Sequence, residues 1–394
     1  MDFALSPAAE KFRARFVEWL DAELPEEWRN YSMHGSTFDE VVEVRRAWGR
    51  LLHAGGWAGP SWPVAHGGLG LGTEELTAYC EELVRCGAPE PMNSNAIGIL
   101  APTIMKYGTV EQKERFLPPM LAHDELWCQG FSEPAAGSDL AGLATTATHD
   151  PGDGVYRING QKLWTSRGQY ADWCYVLART GQGSKRHEGI SMMLMPMHQP
   201  GVDVRPLRNI TGSSEFNELF LTDATAQDCD VIGPVGDGWQ VANFALSNER
   251  GPRLIERALT FKQEQTKGLE DLMGTWDDGP SAGVDAVPDS MVAAHIDARV
   301  VDAMAHRILA LTAEGASVGV LASMSKLIWS EGYQRFLSAL VEAFGADGAS
   351  DVAPFAVWQD RLLRSRAGTI YGGTSEVQRN IIAKSLGLPA SGPR

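Results

Sequence analysis

Apolar positions along the first 120 residues recur at the spacing of one helix face. Ser6 is placed to cap a helix with Pro7 at its first position, and Phe12, Phe16 and Leu20 follow four residues apart on one stripe. Thr37 and Glu40 form a capping box ahead of "VVEVRRAWGRLL", and Thr73 starts a further helix with Glu74 and Glu75 in its first turn. The intervening "GWAGPSWPVAHGGLGLG" has glycines at 68, 70 and 72, a GxGxG that misses the GxGxxG spacing and follows no apolar strand, so it reads as a connecting loop.

From about residue 125 the period shortens to two. "VYRINGQKLW" reads as two short runs joined by Asn159-Gly160, a pair that tolerates positive φ at both positions and predicts a hairpin turn. "WCYVLAR", "ISMMLMPM", "VDVRPL" and "NELFL" follow, separated by turn-rich pieces, and so many short strands in about a hundred residues predict a small barrel or sandwich. After "DVIGPVGDGW" the helical period returns. Ile296, Val300, Met304 and Ile308 stack on one face, "SKLIWSEGYQRFLSALVEAFG" continues in the same manner, and an acidic Gly- and Pro-containing loop near 274–289 interrupts this half. The order helical, β, helical contains no βαβ alternation and excludes a doubly wound sheet. The expected class is α+β, mostly α, with an all-α domain over 1–124, a central β domain over 125–235 and a helical domain over 236–394.

Composition narrows the function. A chain of 394 residues with 44% hydrophobic and 21% charged residues has ordinary globular usage. Its formal charge of -16 argues against nucleic acid or an anionic membrane as the main partner and leaves a small molecule. The first residues show no export signal and no run of 18 apolar residues is present, so a cytoplasmic protein without a membrane span is expected. Five cysteines without a CxxC pair read as reduced thiols, and nine histidines without HExxH spacing give no sign of a protein-held metal.

Two segments could carry chemistry. "WCQGFSEPAAGSD", residues 127–139, crowds small residues and hydroxyls at the entry to the strands, where backbone N–H groups and Ser132 or Ser138 could meet a polar ligand; a plain turn with a proline is the alternative. "QKLWTSRGQYADW", residues 161–173, sets Trp164 beside Thr165 and Ser166, either as an aromatic face with hydroxyl donors for a flat ligand or as core.

Taken with "DVIGPVGDGW", "ASMSKLIWSE" and "IYGGTSEVQRNII", these segments fall in the order and at the intervals of the acyl-CoA dehydrogenases, and the sequence resembles that family over nearly its whole length. The resemblance implies a tetrameric flavoprotein with an amino-terminal helical domain, a central β-barrel and a carboxyl-terminal four-helix bundle. It implies FAD between the β domain and the second helical domain, an acyl-CoA substrate undergoing α,β-dehydrogenation, and an electron-transfer flavoprotein or similar acceptor. The chemistry needs a carboxylate to take the α-proton, a flavin to take the β-hydride, and donors that polarise the thioester carbonyl, which the family provides as a backbone N–H and a ribityl hydroxyl. By the same resemblance Gln129, Phe131, Ser132, Gly137, Ser138, Trp164, Thr165, Ser166, Thr374 and Glu376 contact FAD.

Three positions depart from the pattern. The family's Arg-x-x-Phe-Gly is missing from "LTFKQEQTKGLEDLMG", and Glu342 stands where a glutamine precedes Phe-Gly; some heteromeric members depart in the same way, so a mixed tetramer stands beside a homotetramer. In many relatives the residue after the motif tyrosine is the catalytic glutamate; here it is Gly372. A branch that resembles the isovaleryl-CoA and long-chain enzymes takes its glutamate from a helix after the β domain, commonly as Glu-Arg, and "ALSNERGPRL" places Glu249 and Arg250 there. Glu249 is thus the expected base with Arg250 supporting it, Gly372 contributes its backbone N–H, and Glu376, in a first turn capped by a Ser375 to Gln378 box, is structural or faces FAD. A glycine at 372 enlarges the space beside the reacting carbons, which points to a long-chain, branched or polycyclic acyl group such as a steroid side chain. An acyl-CoA oxidase, or an FAD- and acyl-CoA-binding subunit supporting an active partner, are the alternatives.

Overall fold

The caps read from the sequence set where the helices begin. A computed structural model describes residues 5–181, 186–248, 253–274, 289–314, 316 and 318–389, with the backbone alone at 253, 254, 312 and 313. The helices are α1 (Pro7–Glu23), α2 (Phe38–Ala54), α3 (Thr73–Cys86), α4 (Ala101–Tyr107), α5 (Val110–Leu121), α6 (Gly238–Asn248), α7 (Arg253–Met273), α8 (Asp289–Ala313), α9 (Leu321–Ala343), α10 (Phe355–Ser365) and α11 (Ser375–Ser385). Between α5 and α6 lie β1 (Trp127–Gly130), β2 (Thr146–Asp150), β3 (Val155–Ser166), β4 (Trp173–Arg179), β5 (Ile190–Pro196), β6 (Val202–Leu207), β7 (Phe216–Gln227) and β8 (Val231–Ile232). Ser6 caps α1 ahead of Pro7, and the Thr37–Glu40 box is formed at the start of α2. The expected loop over 274–289 lies, apart from its end residues, outside the described residues.

Contacts divide the chain into two units, Ser36–Gly70 with Pro89–Glu249, and Met1–Gly35 with Leu71–Ala88 and Arg250–Arg394. The first holds the sheet. Its strands run in the order β6-β7-β3-β2-β4-β5-β8, with β1 parallel to β4. The expected barrel does not close: β6 and β8 are the two ends, and β8, two residues long, offers no length to bridge back to β6. The core beneath it joins Cys128, Ile158, Cys174, Val176, Met193, Met195, Leu219 and Leu221. β4 and β5 are buried on both faces, so their side chains read as continuous apolar runs without alternation.

Asn159-Gly160 is not a hairpin turn. Both residues sit inside the unbroken twelve-residue β3, and the turn that pairs β2 with β3 is the "DPGDG" at Asp150–Gly154, where Gly154 has φ 67. Opposite Asn159 the register slips by one residue of β7, and the amide of Asn159 exchanges hydrogen bonds with Asp223, 2.9 Å from Nδ2 to Oδ1 and 2.9 Å from the Asp223 N–H to Oδ1. Gly160 is required for another reason: a Cβ there would come within 2.8 Å of the Thr145 Cα.

A buried ion pair fixes the loop after β1. Lys162 on β3 has no exposed surface; its Nζ lies 2.7 Å from Glu133 Oε1 and 3.3 Å from the Phe131 carbonyl. Glu133 also accepts the N–H of Ala144 at 2.6 Å and of Thr145 at 3.0 Å. Burial pushes the Glu133 carboxyl up, but Lys162 and the two N–H groups outweigh that and hold it below the usual range; burial lowers Lys162, with Glu133 opposing.

The second unit packs α1 on α3, where the Phe16 and Tyr79 rings stack 4.6 Å apart, and α7 to α10 around Phe261, Phe336, Leu337, Leu340 and Trp358. α8 buries only the Ile308 end of the stripe expected of it. Ile296 is 58% and Val300 38% exposed, while Ala294, Ala298, Val301, Ala305 and Ile308 form the inner face. Small residues let α8 and α9 approach closely: a Cβ on Gly332 of α9 would lie 2.8 Å from the Asp297 Cβ. A stripe judged by its bulkiest members therefore misses most of the buried face.

Two predictions follow from the sheet unit. His123, 1% exposed with its Nδ1 3.2 Å from the Leu121 carbonyl, is driven by burial to a pKa of about 4 from 6.5. Only the unfolded chain takes up a proton between those values, so His123 leaves stability intact above pH 6.5 and removes up to about 3 kcal/mol as pH falls to 4. Denaturant titrations of the wild type and His123→Gln across that window should show the slope flattened in the variant, and equal slopes would refute the assignment. Lys162→Met should cost about 3–5 kcal/mol by leaving Glu133 charged and unpaired. The Lys162→Met/Glu133→Gln double variant, which keeps an acceptor for Ala144 and Thr145, should lose less than the single one in the same titrations, and an equal or larger loss would rule out the pair as the cause.

Candidate functional site

Two groups of residues expected at the site lie in described segments, one in each unit. In the sheet unit, β1 delivers Gln129 and Phe131 to the edge of the loop. Tyr175 on β4 donates its hydroxyl to Gln129 Oε1 at 2.9 Å, and its ring meets Phe131 edge-on at 5.5 Å, so both side chains are fixed by one neighbour. Phe131 is buried and Ser132 half-buried. The Leu163 N–H donates to the Ser132 carbonyl at 2.9 Å, which lays this loop against the end of β3. The predicted segments around Ser132 and Trp164 are therefore adjacent.

The end of β3 is bulged. Lys162 pairs with Leu219 and Thr165 with Asn217, so two residues on β3 face one on β7. The extra residue turns Trp164 into the left-handed region, φ 61, and leaves it 58% exposed with its ring edge-to-face on Phe216 at 6.0 Å. Trp164 is thus not core; it presents an aromatic surface. Thr165 is fully buried, and its Oγ1 has no partner among the described residues. Asn217 holds the bulge by donating Nδ2 to the Thr165 carbonyl at 3.0 Å. Ser166 is half-buried at the strand end, just before Arg167, φ 60, which donates to the Met92 carbonyl at 2.8 Å and pairs with Glu90 at 3.1 Å. Gly137 and Ser138 are exposed on the loop, and a Cβ on Gly137 would meet no atom of the chain within 4 Å.

In the helical unit the expected residues form a turn and a helix start. Gly372 and Gly373 have φ 62 and 89. The cap of α11 is Thr374 and not Ser375: Thr374 Oγ1 accepts the Val377 N–H at 3.3 Å, whereas the buried Ser375 hydroxyl has no partner among the described residues. The difference arises because the second glycine's turn brings Thr374 into the extended conformation a cap needs, and Ser375 is already helical. Glu376 is exposed in the first turn, and backbone N–H groups there, then the Thr374 hydroxyl, hold its carboxyl below the usual range. Glu249 and Arg250 lie outside the described residues, as do Gly251 and Pro252; α6 is described as far as Asn248, the residue before Glu249.

Sequence reasoning missed the buried polar residues that hold these groups. Lys162, Glu133 and Asn217 support the loop and bulge, and Lys326 and Gln378 contact the Gly-Gly turn. Lys162, Glu133 and Lys326 stand inside segments that the sequence singles out, "NGQKLWTS", "GFSEPAAGSD" and "ASMSKLIWSE", and that placement was the available signal.

Among the described residues no group of acidic, cysteine or histidine side chains could hold a metal ion, and no helix is long and apolar enough to cross a membrane. Cys80, Cys86, Cys128 and Cys174 are buried free thiols, and Cys229 is exposed.

Residues 6–124, 128–224 and 236–387 match in turn the N-terminal, middle and C-terminal domains of acyl-CoA dehydrogenase. The chain is 40% identical over 387 residues to acyl-CoA dehydrogenase IpdE1 of Mycobacterium tuberculosis, covering 96% of this chain and 98% of that one. Among solved structures it is similar to the ChsE4-ChsE5 complex from Mycobacterium tuberculosis, with a TM-score of 0.82, 27% identity and 99% and 100% of the two chains covered. It is also similar to the Tcur3481-Tcur3483 steroid ACAD, with a TM-score of 0.83, 25% identity and 99% and 100% coverage. The chain belongs to the acyl-CoA dehydrogenase family, oxidoreductases whose cofactor is FAD.

Proposed function

We propose that the chain catalyses α,β-dehydrogenation of a bulky acyl-CoA thioester, with Glu249 as the base, Arg250 supporting it, and the Gly372 backbone N–H donating to the thioester carbonyl. The observation that carries this reading is the state of position 372. A residue that supplies a carboxylate in many relatives is here a glycine in a left-handed turn whose N–H has no acceptor among the described residues. Such a position can still donate a hydrogen bond to developing negative charge, but it cannot take a proton. The proton must then go to another carboxylate, and Glu376 is ill suited: it is solvent-exposed and its charged form is already favoured by the helix start. Glu249 is the remaining candidate.

The sheet unit fits FAD. The exposed Trp164 face suits a flat heteroaromatic ring, the orphaned Thr165 Oγ1 and the Ser132 and Ser166 hydroxyls offer polar contacts, and the open space at Gly137 admits close approach of a ligand to backbone. Gln129, Phe131 and Ser138 complete that set, and Thr374 and Glu376 belong to the helical unit's share. When bound, FAD supplies the acceptor for the hydride that leaves the β-carbon. The chain's residues acidify the α-carbon by polarising the carbonyl, remove its proton, and exclude water from the reacting carbons.

The acyl group is proposed to be long-chain, branched or polycyclic, with a steroid side-chain ester favoured by the solved steroid ACAD relative and by the missing side chain at 372. A second reading, one subunit of a mixed assembly, draws on the exposed Glu342 on α9, on the lack of Arg-x-x-Phe-Gly in α7, and on the relative solved as the ChsE4-ChsE5 complex. An electron-transfer flavoprotein or similar acceptor is the partner that the reaction class requires.

Purified flavin-loaded protein with an artificial electron acceptor tests this directly. Glu249→Gln should keep FAD and fold and lose at least about a hundredfold in turnover, as expected for removal of a general base, whereas Glu376→Gln should lower FAD occupancy without abolishing turnover of the loaded fraction. Normal turnover by Glu249→Gln would sink the base assignment. In a panel of acyl-CoAs, flavin bleaching should be fastest with bulky esters; bleaching by butyryl-CoA alone would refute the substrate class, and absence of bound flavin in the isolated chain would favour the mixed assembly.

A further inference from the structure

We infer that Lys326 and Gln378 are positioning residues that hold the Gly372-Gly373 turn so that the Gly372 N–H meets the thioester carbonyl. The inference rests on the acyl-CoA reading above and adds to it the residues that make a glycine usable at position 372.

Two consecutive glycines form the most compliant backbone a chain can have, since no side chain narrows φ and ψ. A donor carried there contributes to catalysis only if its direction is set before the substrate arrives. On the amino side the direction is set by the short helical turn that precedes the motif, where the N–H groups of Ile370 and Tyr371 donate to the Ala367 carbonyl at 2.9 and 3.0 Å. On the carboxyl side both glycine carbonyls are clamped by side chains. Gln378 Nε2 donates to the Gly372 carbonyl at 2.9 Å and to the Gly373 carbonyl at 3.3 Å, and Lys326 Nζ donates to the Gly373 carbonyl at 2.7 Å. The Gly372 N–H between these anchors has no acceptor among the described residues.

The clamp is made of groups that are expensive to bury. Lys326 on α9 is 3% exposed and Gln378 on α11 is fully buried. Methionine at either position would cover similar apolar surface without desolvating an ammonium or an amide. The amide cannot be turned over, because Oε1 would then oppose two carbonyl oxygens. Gly373 completes the fit: a Cβ there would lie 2.6 Å from Gln378 Nε2, so the residue that needs the clamp also leaves room for it.

Equilibrium binding to the flavin-loaded protein separates this role from a general structural one. The probes are dodec-2-enoyl-CoA, which carries the thioester carbonyl, and S-dodecyl-CoA, a thioether without it. Wild type should bind the thioester about tenfold or more tightly than the thioether, the value of a well-placed hydrogen bond. In Lys326→Met and in Gln378→Met that preference should fall toward one while thioether affinity, FAD content and Tm stay near wild type, and Lys326→Arg should recover part of it. Gln378→Met changes no charge, so the test stands if Lys326→Met does not fold. An undiminished preference in Gln378→Met, or a parallel loss of both ligands and of FAD in it, overturns the inference. Failure of wild type to bind either dodecyl compound and a steroid side-chain CoA ester overturns the acyl-CoA reading and this inference with it.

Discussion

An ammonium with no exposed surface costs several kcal/mol in lost hydration, and Lys162 is stable only because Glu133 and the Phe131 carbonyl surround it. That constraint organises the sheet unit. Glu133 is itself committed to Lys162, Ala144 and Thr145, so the start and end of the loop and strand β3 are tied to one carboxylate. The Phe131–Ser132 segment and the Trp164 bulge lie one hydrogen bond apart as a result. An apolar core at this place could have been as stable. It would not have specified which loop residue lies opposite which strand residue, and that register is what brings the hydroxyls and the aromatic face together.

The helical unit uses a similar arrangement at another scale. Lys326 also spends a buried ammonium on a backbone carbonyl, here of a two-glycine turn. In both places a lysine fixes a segment whose own conformational preference is weak, and in both the neighbouring backbone carries residues proposed to face a ligand. Buried polar groups of this sort rigidify only when satisfied throughout. Thr165 Oγ1 in one unit, and Ser375 Oγ and Gln378 Oε1 in the other, are among the buried polar atoms that have no partner among the described residues, and they belong to or adjoin the residues expected at the site.

The order of helical, β and helical segments was legible because caps and periodicity are local: Ser6-Pro7, Thr37 with Glu40, and the change of period near residue 125 each act within a few residues. What could not be read depended on distant partners. Asn159-Gly160 carries a strong turn signal, yet pairing with β7 and the nearness of Thr145 keep it in a strand, while the less familiar "DPGDG" makes the turn. The face that α8 buries follows from how closely α9 approaches, which favours alanine over isoleucine. Trp164 could be named as a site candidate but not as an exposed one, because its exposure comes from a register slip against Asn217 and Leu219. Lys162 and Lys326 were passed over since a lysine is ordinarily a surface residue.

The proposed separation of the proton acceptor from the carbonyl donor would have a physical consequence for the site. A carboxylate at position 372 would have to be placed by the same backbone that presents the N–H, so any shift of the turn would move acid–base group and donor together. With glycine there, the turn has one task, and its geometry can be set by Lys326 and Gln378 without regard to a side chain that must also reach the substrate. In that reading a base carried on another segment approaches the α-carbon from a different direction, and the volume that a glutamate would have filled is left for the acyl group. The proposed bulky substrate and the proposed clamp on the two-glycine turn thus trace to the same glycine, because the residue that yields space also yields backbone freedom.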